Sequence, residues 1–137
     1  MVVKSLMIAS AGIFLVLGLI HLAYIFWGLQ FTPRDPGLQA TMGQISPVLT
    51  SETSMWKAWV GFNASHSMGL ILFGLVYGYL AIMHGEILFK SPFLLLVGLA
   101  MVGGIVVLAK LYWFSTAFWS TCVALVCYLT SIAVSRA

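Results

Sequence analysis

The sequence predicts an all-α integral membrane protein, an antiparallel up-down-up-down bundle of four helices with a short interfacial helix in the first connection. Two observations predict this class. The 137 residues are 62% hydrophobic and only 7% charged, whereas a soluble domain carries about 25% charged residues. Four long windows, residues 5–33, 58–85, 91–109 and 111–135, contain no Asp, Glu, Lys or Arg. Each supplies close to the roughly 20 apolar residues that cross about 30 Å of hydrocarbon, or more.

These windows place spans near residues 5–28, 56–83, 93–112 and 117–134, and we expect a single domain over residues 1–137. The first span is not expected to be a cleaved signal, because its apolar run exceeds the 7–15 residues of a signal core and no small-x-small site follows it. Strands of a β-barrel are excluded because they alternate apolar with polar residues, whereas these windows are continuously apolar. The short connections after the second and third spans predict antiparallel neighbours.

The first connection, between Leu29 and Met55, is polar and long enough to hold structure of its own. Asp35 followed by Pro36 predicts an N-cap and a first helical residue. Apolar residues then recur at helical spacing on one face, which favours a short helix lying on the membrane surface. We consider two roles for it, a spacer that closes over the end of the bundle and a lid over a lipid-facing entrance. The apolar residues of this face are Leu38, Met42 and Ile45.

Aromatic and basic side chains flank the predicted spans. Such residues settle at the headgroup level of a bilayer, with their stems in the apolar layer. The six basic residues are too few and too scattered for a phosphate-binding stripe, so no nucleic-acid partner is expected. The residues predicted as interface anchors are Trp27, Trp56, Lys57, Trp59, Lys110 and Trp113.

Polar residues near the ends of the second span receive structural interpretations. Glu52 is expected in the first turn of that helix, where the helix dipole favours a negative charge. Beyond its other end, His84, Gly85 and Glu86 are expected to form a surface turn. Neither position is predicted to carry chemistry.

The second span carries the most informative stretch. On a helical wheel Asn63, Ser67, Gly74 and Gly78 fall within about 60° of one another, and His66 lies at the edge of that stripe. The two glycines form a G-x-x-x-G pair, which lets another helix approach closely in a bilayer. The pair therefore predicts helix packing.

His21 in the first span is expected at the same depth as this polar stretch. Counting about 1.5 Å per residue from the span ends places His21 and Asn63 about 10 Å below the surface, and His66 about 15 Å below it. Polar groups at that depth are costly unless they have partners, which makes them functional candidates. The candidate cofactor-binding residues are His21, His66, Asn63 and Ser67.

An enzyme acting on a membrane lipid could use His66 as a general base, with Asn63 and Ser67 nearby. Three further interpretations of this histidine pair remain open. A histidine bonded to a serine or asparagine of the next helix would fix packing alone. Two imidazoles could be axial ligands of a haem b. They could instead line a slot for a quinone or another lipid-soluble molecule, the histidine donating to a carbonyl oxygen. No catalytic residue is assigned and no metal site is predicted, because the sequence lacks the corresponding motifs.

Two stretches, Phe31 to Pro36 and Met55 to Gly69, read FTPRDP and MWKAWVGFNASHSMG. With Ser46 to Thr50 between them, they resemble a group of short, uncharacterised bacterial four-span integral membrane proteins. The likeness extends over most of the chain. It implies an inner-membrane protein of this architecture and implies no activity.

From the sequence we expect a small structural or interaction protein, either a homo-oligomer or an accessory subunit of a larger membrane complex. Its expected partners are the lipid bilayer and copies of itself or other membrane subunits. The glycine-bearing face and the lack of a catalytic motif motivate this expectation. The alternative is a redox protein that binds a cofactor or lipophile, haem b or a quinone, through His21 and His66.

Overall fold

A computed structural model describes residues 1–136, and over that range every regular element is a helix. Four of the helices are long and two are short. In chain order they are α1 Val2–Trp27, α2 Pro36–Gln44, α3 Met55–Met83, α4 Gly85–Lys90, α5 Pro92–Tyr112 and α6 Ser115–Arg136.

The four long helices coincide with the four predicted spans, and by length and composition each is a candidate membrane-spanning helix. They contain 26, 29, 21 and 22 residues, and each is apolar enough to cross a membrane. At about 1.5 Å per residue even the shortest reaches roughly 30 Å, which matches the hydrocarbon layer. By helix length and composition, the chain is an integral membrane protein.

Helix α2 begins as the sequence predicts. The Asp35 side chain accepts a hydrogen bond from the Gly37 amide at 2.8 Å, and Pro36 is the first helical residue. This arrangement satisfies one of the free amides at a helix start. The helix ends at Gln44, so Ile45 caps it with an extended backbone and does not extend the apolar face of Leu38 and Met42.

Two expectations about helix ends are wrong. Helix α3 begins at Met55, and Ser54 is positioned as its cap, because the Ser54 carbonyl oxygen accepts a hydrogen bond from the Ala58 amide at 2.9 Å. Glu52 therefore precedes the first turn of α3. The expected surface turn after α3 is instead the start of α4. That helix is favoured by Glu86 in its first turn and Lys90 in its last, where each charge complements the helix dipole.

The Glu86–Lys90 ion pair spans one turn of α4, with 2.9 Å between the Lys90 ammonium and a Glu86 carboxylate oxygen. The Lys90 ammonium lowers the pKa of the Glu86 carboxyl, by its hydrogen bond and by its charge. Both side chains are exposed, and such pairs contribute little to stability. The pair is therefore a local support for α4.

The chain divides into two compact units. One contains residues 1–16 and the chain from Leu70 onward, and the other contains residues 17–69. Helices α1 and α3 each contribute to both units. The buried apolar cluster lies wholly in the first unit and consists of Met7, Ala11, Phe14, Leu70, Phe73, Tyr77, Ala81, Leu88, Leu95, Val102, Ile105, Ala124 and Tyr128.

Two glycines in the first unit allow close approaches between helices. A Cβ on Gly74 would lie 2.7 Å from the Ala11 carbonyl oxygen and 2.9 Å from the Leu15 Cα, so the α1 backbone passes directly over this glycine. A Cβ on Gly98 of α5 would lie 2.6 Å from the Tyr77 ring and still closer to the Tyr128 hydroxyl. Any side chain larger than that of glycine would clash with these neighbours at both positions.

Candidate functional site

All four candidate residues from the sequence lie in the second unit. His21 is on α1, and Asn63, His66 and Ser67 are on α3. The structure places the His21 ring against both Asn63 and His66. The two helices therefore bring together the groups that the rise per residue predicts at a common depth.

The Asn63 amide links His21 to the backbone of α3. Its nitrogen donates to the Trp59 carbonyl oxygen at 2.8 Å, and its oxygen lies 3.2 Å from His21 Nε2. Because a carbonyl oxygen only accepts, the Asn63 nitrogen must face Trp59 and the Asn63 oxygen must face His21. His21 Nε2 is then the donor.

His66 and Ser67 take different positions around this pair. The His66 ring meets the His21 ring edge to face, with 5.4 Å between ring centroids and an interplanar angle of 69°. The Ser67 hydroxyl is fully buried and donates to the Asn63 carbonyl oxygen at 3.0 Å, one turn back on its own helix. Ser67 therefore contacts the backbone that carries Asn63.

Phe31, from the connection after α1, covers the His21 ring. Their ring centroids are 4.2 Å apart at an angle of 39°. The Phe31 carbonyl oxygen accepts a hydrogen bond from the Trp59 indole nitrogen at 3.0 Å. The connection is thus fixed to α3 by its backbone, and its aromatic ring packs on the imidazole.

A pocket of about 400 Å³ opens beside these aromatic residues. Most of its lining is apolar or aromatic, with one amide and one hydroxyl side chain. Phe31 and Trp59 belong both to the pocket wall and to the contacts of the His21–Asn63 pair. The lining residues are Gln30, Phe31, Thr32, Pro33, Leu38, Met42 and Trp59.

The geometry of the two histidines tests the haem interpretation. A haem held by two axial histidines places its flat macrocycle between the imidazoles, each of which points a nitrogen at the iron. Non-bonded carbon atoms keep about 3.5 Å apart, so the macrocycle needs a clear gap between the rings. The His21 and His66 rings are already in contact, and His21 Nε2 is bonded to Asn63. These residues do not fit a haem held by both histidines.

Metal ligation receives no support from the described part of the chain. Across residues 1–136, no group of three or more His, Cys, Asp or Glu side chains is placed to hold a metal ion. Cys122 and Cys127 are free thiols, both partly buried on α6.

The predicted interface anchors lie at or near helix ends. Trp27 is the last residue of α1 and is 83% exposed, and Trp113 caps the end of α5. The Lys110 ammonium lies 5.1 Å from the centroid of the Phe118 ring, a cation–π distance. Trp56 and Lys57 are in the first turn of α3, three and two residues before the pocket residue Trp59.

Sequence reasoning missed the role of Phe31 and the pocket it lines. It placed Trp59 at the interface but did not assign it to a binding wall. One signal was present, because Leu38 and Met42 share the apolar face of α2 and both line the pocket. Which residues this face covers depends on the path of the connection, and no local pattern specifies that path.

Comparisons of this chain with protein-family models, with curated proteins and with solved structures found no match.

Proposed function

We propose that the protein binds a lipid-soluble amphiphile of the quinone class in the pocket beside His21 and Asn63. In this proposal the four long helices form an antiparallel bundle in a bacterial inner membrane, and α2 lies along the membrane surface. The single observation that carries the proposal is an aromatic-walled pocket whose lining residues Phe31 and Trp59 contact a hydrogen-bonded histidine–asparagine pair.

The size and lining of the pocket support a small ligand. Its volume of about 400 Å³ lies within the roughly 300–1,000 Å³ of small-molecule sites. Such sites combine mainly apolar walls with a few polar groups that fix orientation. Gln30 and Thr32 supply polar atoms at the lining. His21 contacts the lining residue Phe31, and Asn63 bonds the backbone of the lining residue Trp59.

The aromatic walls favour a flat head group over a plain acyl chain. Phe31 and Trp59 offer ring surfaces, and aromatic pairs gain about 0.5–1.5 kcal/mol beyond the area they bury. An acyl chain would gain little on leaving lipid for this pocket, because lipid is as apolar as the walls. A ring with polar substituents gains stacking and hydrogen bonds that lipid does not provide.

Filling the pocket tests this function. Met42 lines the pocket, so Met42→Trp should occupy space that a ligand needs. We expect lipid extracts of the purified wild type to contain an enriched aromatic lipophile, and the Met42→Trp extract to contain about tenfold less, the change expected when binding weakens by about 1.4 kcal/mol. Mass spectrometry of matched extracts measures the difference.

Val48→Trp is the matched control, because Val48 belongs to the same connection, is fully exposed and does not line the pocket. Its extract should equal that of the wild type. Identical extracts from the wild type and Met42→Trp, with no lipophile enriched over bulk lipid, would count against the proposal.

A second candidate function is self-association, as the sequence suggests. The Gly74 face predicted for packing is occupied within the chain by α1. On α5, however, Ala100 and Gly104 are both exposed and stand four residues apart, a small-x-x-x-small pair of the kind that mediates helix association in bilayers. This exposed pair favours an interaction unit formed by copies of the chain.

Gly104→Leu separates association from folding. No atom of the chain lies within 4 Å of the Cβ that a larger residue would add there, so the fold should be unaffected. We expect dimer affinity in lipid nanodiscs to fall roughly tenfold, the effect of losing about 1–2 kcal/mol of close packing. Val126→Leu, on the exposed surface of α6, is the control. A monomeric wild type, or an unchanged affinity in Gly104→Leu, would reject this second function.

A further inference from the structure

We infer that the pocket selects a hydroxyl donor, such as a phenol or a quinol head group, over the corresponding carbonyl, with His21 Nδ1 as the acceptor. This inference rests on the proposed function and names the ligand chemistry of the same site. It reverses the role that the sequence suggested, in which a histidine donates to a carbonyl oxygen.

The orientation of the Asn63 amide follows from its hydrogen bond to the α3 backbone. Only its nitrogen can donate to the Trp59 carbonyl oxygen 2.8 Å away. The opposite orientation would set two acceptor oxygens against each other at that distance. The Asn63 oxygen is thereby directed to His21 Nε2, at 3.2 Å.

The tautomer of His21 follows from its hydrogen bond to Asn63. An amide oxygen has no hydrogen to give, so the hydrogen of this bond belongs to Nε2 of His21. The neutral imidazole carries one ring proton, and its other nitrogen is then an acceptor. Because Nε2 donates its hydrogen to Asn63, Nδ1 is the atom that can accept a hydrogen bond from a ligand.

The imidazole of His21 contacts a residue of the pocket wall. Its ring packs on Phe31 at 4.2 Å between centroids, and Phe31 forms part of the pocket wall. The Trp59 indole nitrogen bonds the backbone carbonyl of Phe31, and this bond does not involve the Phe31 ring. In the proposed complex a planar head group takes the place of the Phe31 ring, keeps the stacking on His21 and brings its hydroxyl to Nδ1.

A matched pair of probes tests the selection. A long-chain alkylphenol and its methyl ether share the ring and the tail and differ in the hydroxyl hydrogen. In lipid nanodiscs we expect the wild type to bind the phenol about tenfold more tightly, the effect of one hydrogen bond to a partly buried acceptor. The alkylquinone with the same tail should bind no more tightly than the ether. Calorimetric titration measures all three.

Variants connect the preference to His21. In His21→Phe the ring that packs on Phe31 is kept and the acceptor is lost, so the phenol and the ether should bind equally. His84→Phe is the control, because His84 is exposed and lies outside the pocket lining. It should keep the full preference.

Each outcome of the titrations has a distinct meaning. Equal binding of phenol and ether by the wild type, tighter binding of the quinone, or a preference that persists in His21→Phe would overturn this inference while the pocket remains a lipophile site. Failure of all three probes to bind would overturn the proposed function itself.

A measurement on the unaltered protein removes any dependence on how His21→Phe folds. Carbon and nitrogen chemical shifts of isotopically labelled histidine distinguish the two neutral tautomers. We expect the His21 signal to report a proton on Nε2. A proton on Nδ1 in the neutral ring would overturn the inference.

Discussion

Replacing Gly98 with alanine is expected to destabilise the protein by about 2 kcal/mol. The new methyl group would overlap the Tyr128 hydroxyl and lie 2.6 Å from the Tyr77 ring. Neither tyrosine can retreat freely, because their hydroxyls donate to the Leu95 and Leu94 carbonyl oxygens at 2.9 and 2.7 Å. Overpacking costs about 1–3 kcal/mol and a lost hydrogen bond about 0.5–1.5 kcal/mol, against about 1 kcal/mol gained from alanine's helix propensity.

Gly103→Ala is the matched control for this substitution, five residues further along α5. No atom lies within 4 Å of the Cβ it would add, so only the propensity gain remains. Unfolding in mixed micelles, followed by circular dichroism, measures both variants. Gly98→Ala as stable as Gly103→Ala would show that the two tyrosines do not pack as described.

Replacing Gly74 with alanine is also expected to destabilise the protein. Its methyl group would meet the Ala11 carbonyl oxygen at 2.7 Å and the Leu15 Cα at 2.9 Å. Both are backbone atoms, so α1 as a whole must move away from α3. Overpacking costs about 1–3 kcal/mol and alanine's helix propensity returns about 1 kcal/mol, so we expect a net loss of up to about 2 kcal/mol in the same unfolding measurement.

Gly78 provides the comparison for Gly74 on the same helix. An added Cβ there meets only the Ala11 Cβ, at an ordinary 3.8 Å. Gly78→Ala should therefore fold with unchanged or slightly increased stability. Equal losses in the two variants would mean that the α1–α3 contact is not centred on Gly74.

The sequence predicted the long helices well for a simple physical reason. A span must be apolar over its whole length, so windows without charges mark it to within a few residues. The cap at Asp35 was predictable because it depends on neighbouring residues alone. The start of α3 was harder, because Ser54 and Glu52 are both plausible near a helix start and only the hydrogen bonds decide between them.

The candidate site was predictable in part. The rise per residue placed His21 and Asn63 at one depth, and the structure joins them by a hydrogen bond. The direction of that bond depends on the Trp59 carbonyl oxygen, a backbone atom that residue patterns do not reveal. The pocket depends on Phe31, whose position follows from the path of a long connection.

A high-resolution density map of the protein extracted with its native lipids and bound to an antibody fragment tests the central claim most directly. We expect a planar density in the pocket beside Met42 and Trp59, continuous with a tail that runs into the lipid. A pocket filled by protein side chains, or one that contains only solvent while the lipophile lies elsewhere, would contradict it.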